Sequence, residues 1–460
     1  MAYVTINPYT NEVVKRFPDL EDAELERMVG QAVATFETWS TTSFANRAKI
    51  LKKAASLLRE QADDYAKLLT LEMGKLYRES LGEVALSADI LDYYADNAER
   101  FLAPTPIKEA ASRAMIVYEP IGVLLAIEPW NFPYYQLARV AGPHLMAGNT
   151  VVFKHSSIVP QSAAAFDRLF RDAGASDGLW TNLFATRDQL NRLIDDPRIA
   201  AVCLTGGEQS GALVAGRAGG NLKKTTLELG GSDAFVVLDD ADLEKTVKWA
   251  LWGRINNGGQ CCVASKRFIV VEAVADAFLE KFQAAMSGLV AGDPFDEATT
   301  LPPMSSQGAA DDLNKQVADA IKKGAKAIRC GAGVPMQGAF VQPIILTNVT
   351  PDNPAYYQEF FGPVALFFRV KDEDAAVALA NDSEFGLGGS VFTKDEARGI
   401  GVAKRIKTGM VFVNHPTWTS PELPFGGIKK SGYGRELSEL GIEEFVNKKL
   451  INVVDIDAPA

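Results

Sequence analysis

Two α/β domains and a short β arm are the architecture predicted for this chain, on three observations. At 460 residues it exceeds the size at which one hydrophobic core keeps growing. Short apolar, β-branched runs alternate with helical segments in two successive series, the pattern of parallel sheets wrapped by helices. A last alternating apolar run lies beyond the second series, where it is a liability unless it pairs with another strand.

The elements follow in order. Residues 21–100 are rich in Ala, Leu, Glu and Lys, and Ile50, Leu51, Ala54, Leu57 and Leu58 repeat at the spacing of one helical face. The run 115–127, MIVYEPIGVLLAI, is β-branched but broken by Pro120 and Gly122, which predicts two strand segments joined by a bend. Strand-like runs at 150–153 and 200–204 continue the first series. The second begins near Thr225, with strands at 234–238 and 267–271 and a helix over 241–255. The run 449–456, KLINVVDI, is the isolated strand, expected to join 113–127 in a small sheet between subunits.

Composition narrows the function. A formal charge of −11 argues against a general nucleic-acid or membrane-surface partner. The first residues, MAYVTINPYT, lack a basic segment followed by an apolar one, and no apolar run reaches bilayer-spanning length, so a cytoplasmic address is expected. Four cysteines without a C-x-x-C pair fit a reducing compartment, and three scattered histidines predict no metal.

The chemistry concentrates in NNGGQCCVASK, residues 256–266, an irregular glycine-rich loop between a helix and a strand. A cysteine there is either a small buried hydrophobe or a nucleophile, and a nucleophile needs a base or a positive potential to become a thiolate. Glu228, in LELGG at a strand end, is the candidate base; alone it would read as a surface glutamate. Asn131 follows the strand ending at Ile127, the functional edge of an α/β sheet. Its amide either caps a helix or donates to an oxyanion, and one such donor contributes about 3–4 kcal/mol.

Six segments in order, PWNFP (129–133), LTGGEQSG (204–211), ELGG (228–231), GQCC (259–262), EFFGP (359–363) and PFGGIKKSGYGRE (424–436), resemble the signatures of the aldehyde dehydrogenase superfamily along essentially the whole chain. The resemblance implies a Rossmann-type cofactor domain, residues 1–112 and 128–229, a catalytic domain, 230–436, and oligomerisation strands, 113–127 and 437–460. The family pattern G-Q-x-C selects Cys262 over Cys261 as the nucleophile. It implies that Asn131 with the Cys262 N–H forms the oxyanion hole, and that Glu228 activates the nucleophile or the hydrolytic water. It also puts Trp130, Leu229, Glu359 and Phe361 against the cofactor, the last two at the nicotinamide ribose. The expected chemistry is thiolate attack on an aldehyde, oxidation, and hydrolysis of the thioester.

For the cofactor, Gly206, Gly207 and Gly211 stand where the family loop usually reads G-S, so one hydroxyl to the pyrophosphate is missing while backbone N–H groups remain. Lys154 resembles the lysine at the adenosine ribose. Ser157 takes the place where NAD-preferring relatives often carry a glutamate, so NADP is expected to be preferred, with NAD as second cofactor. Within the superfamily the chain is most similar to the short bacterial succinate-semialdehyde dehydrogenases, which implies an aldehyde with a distal carboxylate bound by Arg139. Tyr135, Trp418, Thr419, Ser420 and Phe425 are the expected pocket walls. A second arginine of some relatives is Asn256 here, with Arg254 nearest, and their second redox cysteine is Ala264. Another aldehyde (glutarate semialdehyde or a neutral aliphatic one), a CoA- or phosphate-acylating enzyme and a non-catalytic relative are the alternatives. A dimer or tetramer is expected.

Overall fold

The computed structural model describes residues 3–108, 110 and 113–457; the outer ends of the expected domain ranges, at 1, 112 and 460, lie outside them. The first sheet has the strand order Gly432–Tyr433, Lys224–Glu228, Ile199–Thr205, Val123–Glu128, Thr150–His155, Trp180–Asn182. All pairings are parallel except the first. The chain enters at Val123–Glu128 in the middle and places its next strands first on one side and then on the other. The resulting crevice, at the carboxyl ends, is where doubly wound sheets bind ligands.

Leu124, Leu125, Val151, Val152 and Phe153 are fully buried because helices cover both faces. The helix Phe44–Glu60 buries Leu51, Ala54, Leu57 and Leu58 on the face that the periodicity predicted, and the Ser43 side chain caps it by accepting from the Asn46 N–H. Truncating Leu51 or Leu58 to Ala should cost about 2–5 kcal/mol.

The second sheet runs Lys326–Arg329, Ile344–Thr347, Val364–Val370, Ser265–Val271, Asp233–Val237, Gly389–Phe392, Phe412–Val413, parallel except for the antiparallel edge pair Lys326–Arg329 and Ile344–Thr347. A separate three-stranded sheet pairs Val446–Val453 with Arg113–Pro120, and that strand with Thr105–Ile107.

These pairings correct the expected divisions. The run 113–127 is not wholly an arm: it bends at Ile121 and Gly122, where Gly122 has φ +137° and Asn149 Oδ1 accepts from both backbone N–H groups at 2.8 and 3.1 Å. Beyond the bend the all-apolar Val123–Ala126 is buried on both faces and joins the first sheet, whereas the preceding strand is half-buried. Gly432–Tyr433 also returns to the first sheet, inside the range assigned to the catalytic domain. The terminal strand is Val446–Val453, three residues earlier than expected at each end.

Candidate active site

The nucleophile loop is held from below by its own backbone. Asn257, Gly258 and Gly259 take φ of 54°, 64° and 80°, and a Cβ at Gly259 would lie 2.6 Å from the Gly362 carbonyl oxygen, so only glycine fits there. The Asn257 amide donates to the carbonyls of Asn131 (2.8 Å) and Gln260 (3.2 Å). Gln260 Oε1 accepts from the Ser305 N–H at 2.8 Å. Arg254, fully buried, donates to the carbonyls of Gly259 (2.7 Å) and Val364 (3.2 Å). Its guanidinium is thus used on backbone carbonyls, whereas Asn256 lines the cavity.

Cys262 is half-buried and Cys261 buried, and both line a cavity of about 750 Å³. Asn131, Glu228, Arg139, Tyr135, Thr205, Trp418, Thr419 and Phe425 line the same cavity. Thr417 lines it as well, while Ser420 does not, a correction to the expected walls: the chain turns away there, and the Ser420 carbonyl accepts from the Leu423 N–H. Asn131 Nδ2 donates to the Gln260 carbonyl at 3.1 Å, which uses one of its two hydrogens. Glu228 is buried at its strand end and, among the described residues, neither carboxylate oxygen has a hydrogen-bond partner. A Cβ at Gly426 would lie 2.6 Å from Glu228 Oε1, so that glycine makes room for the acid.

Burial, then the nearby Glu436, pushes the Glu228 carboxyl well above the carboxylate range. The Cys262 thiol also sits high, because it donates to the neighbouring Cys261 sulfur and is desolvated, while Lys266 and Arg139 oppose that rise. At rest the thiol holds its proton.

Arg139 is placed less simply than the sequence suggested. On the helix Pro133–Ala147 it is buried, and its Nε lies 2.7 Å from Glu436 Oε2 without hydrogen-bond alignment. Nη2 donates to Thr205 Oγ1 (3.2 Å) and Nη1 to the Tyr135 hydroxyl (3.4 Å), which in turn is 2.8 Å from Thr419 Oγ1. Its guanidinium sits 4.6 Å over the Tyr135 ring and 5.0 Å over Phe425. Glu128 is buried beside it, its carboxyl pushed far up by burial and then by Glu436, with Arg139 and the Thr205 hydroxyl opposing that rise. Burial works against the Arg139 cation, yet Glu436 above all holds it charged. Sequence reasoning missed Glu128, Thr205 and Glu436 as parts of this cluster, although Glu436 closes the PFGGIKKSGYGRE run.

On the far side of the crevice Lys154, next to last in its strand, is half-buried, with its ammonium 5.4 Å from the Tyr3 ring and, among the described residues, no carboxylate contact. Burial, then Arg187, pulls it down to about 8. Arg187 also escaped the sequence reading, because it begins a helix in another segment. Ser157 adjoins; its carbonyl accepts from the Val4 N–H at 3.0 Å. Gly207 precedes the helix Glu208–Gly220, and a Cβ there would meet nothing, so the helix start is open. Gly211 instead lets helix and strand close on each other, since a Cβ there would lie 2.7 Å from Leu229. Trp130 and Phe361 meet edge to face at 5.7 Å. Glu359 Oε1 accepts from the Gly231 N–H at 3.1 Å.

A lysine near a strand's carboxyl end with an arginine close by, an open helix start and a half-buried thiol sharing a cavity with an acid are the parts of a nucleotide-dependent, thiol-using enzyme. The sequence profile of the aldehyde dehydrogenase family matches residues 1–451, and the chain belongs to that family. It is 51% identical to the succinate-semialdehyde dehydrogenase [NADP(+)] of Deinococcus radiodurans, covering 98% of this chain and 94% of that one. To its counterpart in Mycolicibacterium paratuberculosis it is 44% identical, over 98% and 96%. Among solved structures, the succinic semialdehyde dehydrogenase of Streptococcus pyogenes in complex with NADP+ superposes with a TM-score of 0.97 at 46% identity, covering 99% of this chain and all of that one.

Proposed function

We propose that the protein oxidises succinate semialdehyde to succinate with NADP as the preferred cofactor. The observation that carries this reading is the shared cavity of Cys262, Glu228, Asn131 and a buried arginine, in a chain about half identical to an NADP-dependent enzyme of that activity. The cofactor fits the residues present. Lys154, Ser157 and Arg187 would take the 2'-phosphate, since among the described residues no carboxylate contacts Lys154; the N–H groups after Gly207 would take the pyrophosphate, and Glu359 with Phe361 the nicotinamide ribose. When bound, NADP supplies the two-electron acceptor for the oxidation.

The chain's own residues do the rest. Cys262 passes its proton to ionised Glu228 or to solvent, and its sulfur attacks the aldehyde carbon. The second Asn131 amide hydrogen and the Cys262 N–H hold the oxygen as charge develops. After oxidation the acyl group is a thioester on Cys262, and Glu228, once ionised, takes a proton from the water that attacks it. Succinate leaves and the thiolate is restored. Arg139, reaching the cavity through the hydroxyls of Tyr135 and Thr419, gives that wall a positive end for the distal carboxylate.

No helix among the described residues is long and apolar enough to cross a membrane, and a cytoplasmic site suits four free thiols. Homo-oligomer formation is supported by the terminal strand, an edge strand with Leu450 60% and Val453 43% exposed.

The test is kcat/KM with NADP for succinate semialdehyde, glutarate semialdehyde, butanal and betaine aldehyde. Succinate semialdehyde should exceed butanal by at least about 30-fold, which corresponds to ~2 kcal/mol for a buried charge contact. Equal values for the two would overturn the substrate assignment.

A further inference from the structure

Lys266 has no part in the acyl-transfer chemistry, yet it is among the most enclosed charges in the protein. Its ammonium is fully buried; it donates to the Cys261 carbonyl at 2.9 Å and the Cys262 carbonyl at 2.7 Å, and it lies 2.8 Å from Glu359 Oε1 as an ion pair. The two ends of this bridge differ. Lys266 is fixed by carbonyls of the nucleophile loop, and the Phe361 ring lies 5.7 Å away. Glu359, by contrast, is 18% exposed and reaches the crevice edge. Its carboxylate is folded back onto Gly230 and Gly231, where a Cβ on Gly230 would lie 2.4 Å from Glu359 Oε2. One carboxylate therefore either neutralises the lysine or faces the crevice.

We propose that Lys266 is a positioning residue that couples the cofactor seat to the nucleophile: while Glu359 leans on it the ammonium is neutralised, and when Glu359 turns to ribose hydroxyls the full charge is left on the 261–262 backbone beside the Cys262 sulfur. This rests on the reading that Glu359 meets the nicotinamide ribose. The carbonyl contacts hold Lys266 in place after the carboxylate leaves. The Lys266 charge already opposes the high resting position of the Cys262 thiol and helps lower that of Cys261, so releasing it favours the thiolate.

The test is alkylation of Cys262 by iodoacetamide in the full-length protein between about pH 6 and pH 9, with and without NADP+ and no aldehyde, located by mass spectrometry. NADP+ binding is followed separately by tryptophan fluorescence. In the wild type NADP+ should move the alkylation profile down by about one pH unit, close to tenfold faster at neutral pH. Lys266→Met should alkylate more slowly and lose the NADP+ effect while still binding NADP+. Glu359→Gln should alkylate faster than wild type without any cofactor. A Lys266→Met protein with the wild-type shift, or a Glu359→Gln profile identical to wild type, would overturn the coupling. Should Lys266→Met fail to fold, Glu359→Gln, an isosteric change at a partly exposed side chain, decides alone. A wild type that binds no NADP+ overturns the functional reading instead, and the cofactor-free Glu359→Gln comparison still judges the Lys266 bridge.

Discussion

Replacing Arg139 with Met removes the cation from a buried cluster that also contains Glu228 and Glu128 and in which Glu436 above all holds it charged. Breaking one side of a buried pair costs about 3–5 kcal/mol, because the other charge is left uncompensated. The cheapest response is for Glu436 to take up a proton. From the ordinary carboxyl value of 4.5, holding that proton at pH 7 spans 2.5 pH units at 1.36 kcal/mol each, about 3.4 kcal/mol. At pH 5.5 the same step costs only about 1.4 kcal/mol. The sign follows from linkage: a carboxyl raised in the folded state keeps a proton that the unfolded chain releases, so stability falls as pH rises above the unfolded value. Urea unfolding followed by tryptophan fluorescence should thus find Arg139→Met destabilised by about 3 kcal/mol at pH 7 and about half that or less at pH 5.5. Arg139→Met with Glu436→Gln should recover most of the loss and all of the pH dependence. A single variant within about 1 kcal/mol of wild type at pH 7, or equally destabilised at both pH values, would refute the idea that Arg139 is bound up with Glu436.

The same cluster predicts a shift in the pH dependence of kcat: Glu228 must be ionised to accept a proton and Glu436 raises it, so Glu436→Gln should move the rise of activity to lower pH. Ser157→Glu should lower kcat/KM for NADP by about 10- to 100-fold, since a carboxylate about 5 Å from a phosphate at an effective dielectric constant of ~20 costs up to ~3 kcal/mol per unit charge, and NAD should be little affected. Gly230→Ala drives a methyl into the Glu359 carboxylate and should weaken NADP+ binding, measured by fluorescence titration, far more than Gly207→Ala, where a Cβ meets nothing. Each is contradicted by an unchanged profile, cofactor ratio or affinity.

The site was legible in the sequence wherever a function lies in a contiguous motif. Asn131, Glu228 and Cys262 occupy sheet-edge loops whose glycines and asparagines signal irregular backbone, and the structure opens all three onto one cavity. What could not be read were meetings across the fold. Arg139 and Glu436 are 297 residues apart and carry no pattern that pairs them. Lys154 and Arg187 come from different segments, and Lys266 showed only as the last residue of the run 256–266. Arg254 illustrates a different limit: spacing put an arginine near the nucleophile, but direction along the helix end turned its guanidinium onto the Gly259 carbonyl. The domain edge at 127 failed because apolar runs either side of Gly122 look alike until one of them is buried on both faces.

The central claim is that acyl transfer runs through Cys262, and it is tested most directly by trapping the acyl group. Glu228→Gln, mixed with succinate semialdehyde and NADP+ and quenched in acid, should accumulate a thioester because hydrolysis is slowed. Tandem mass spectrometry of the peptide spanning residues 255–266 should find a succinyl group on Cys262 and none on Cys261. An adduct on Cys261, or turnover with no covalent acyl-enzyme, would contradict the account.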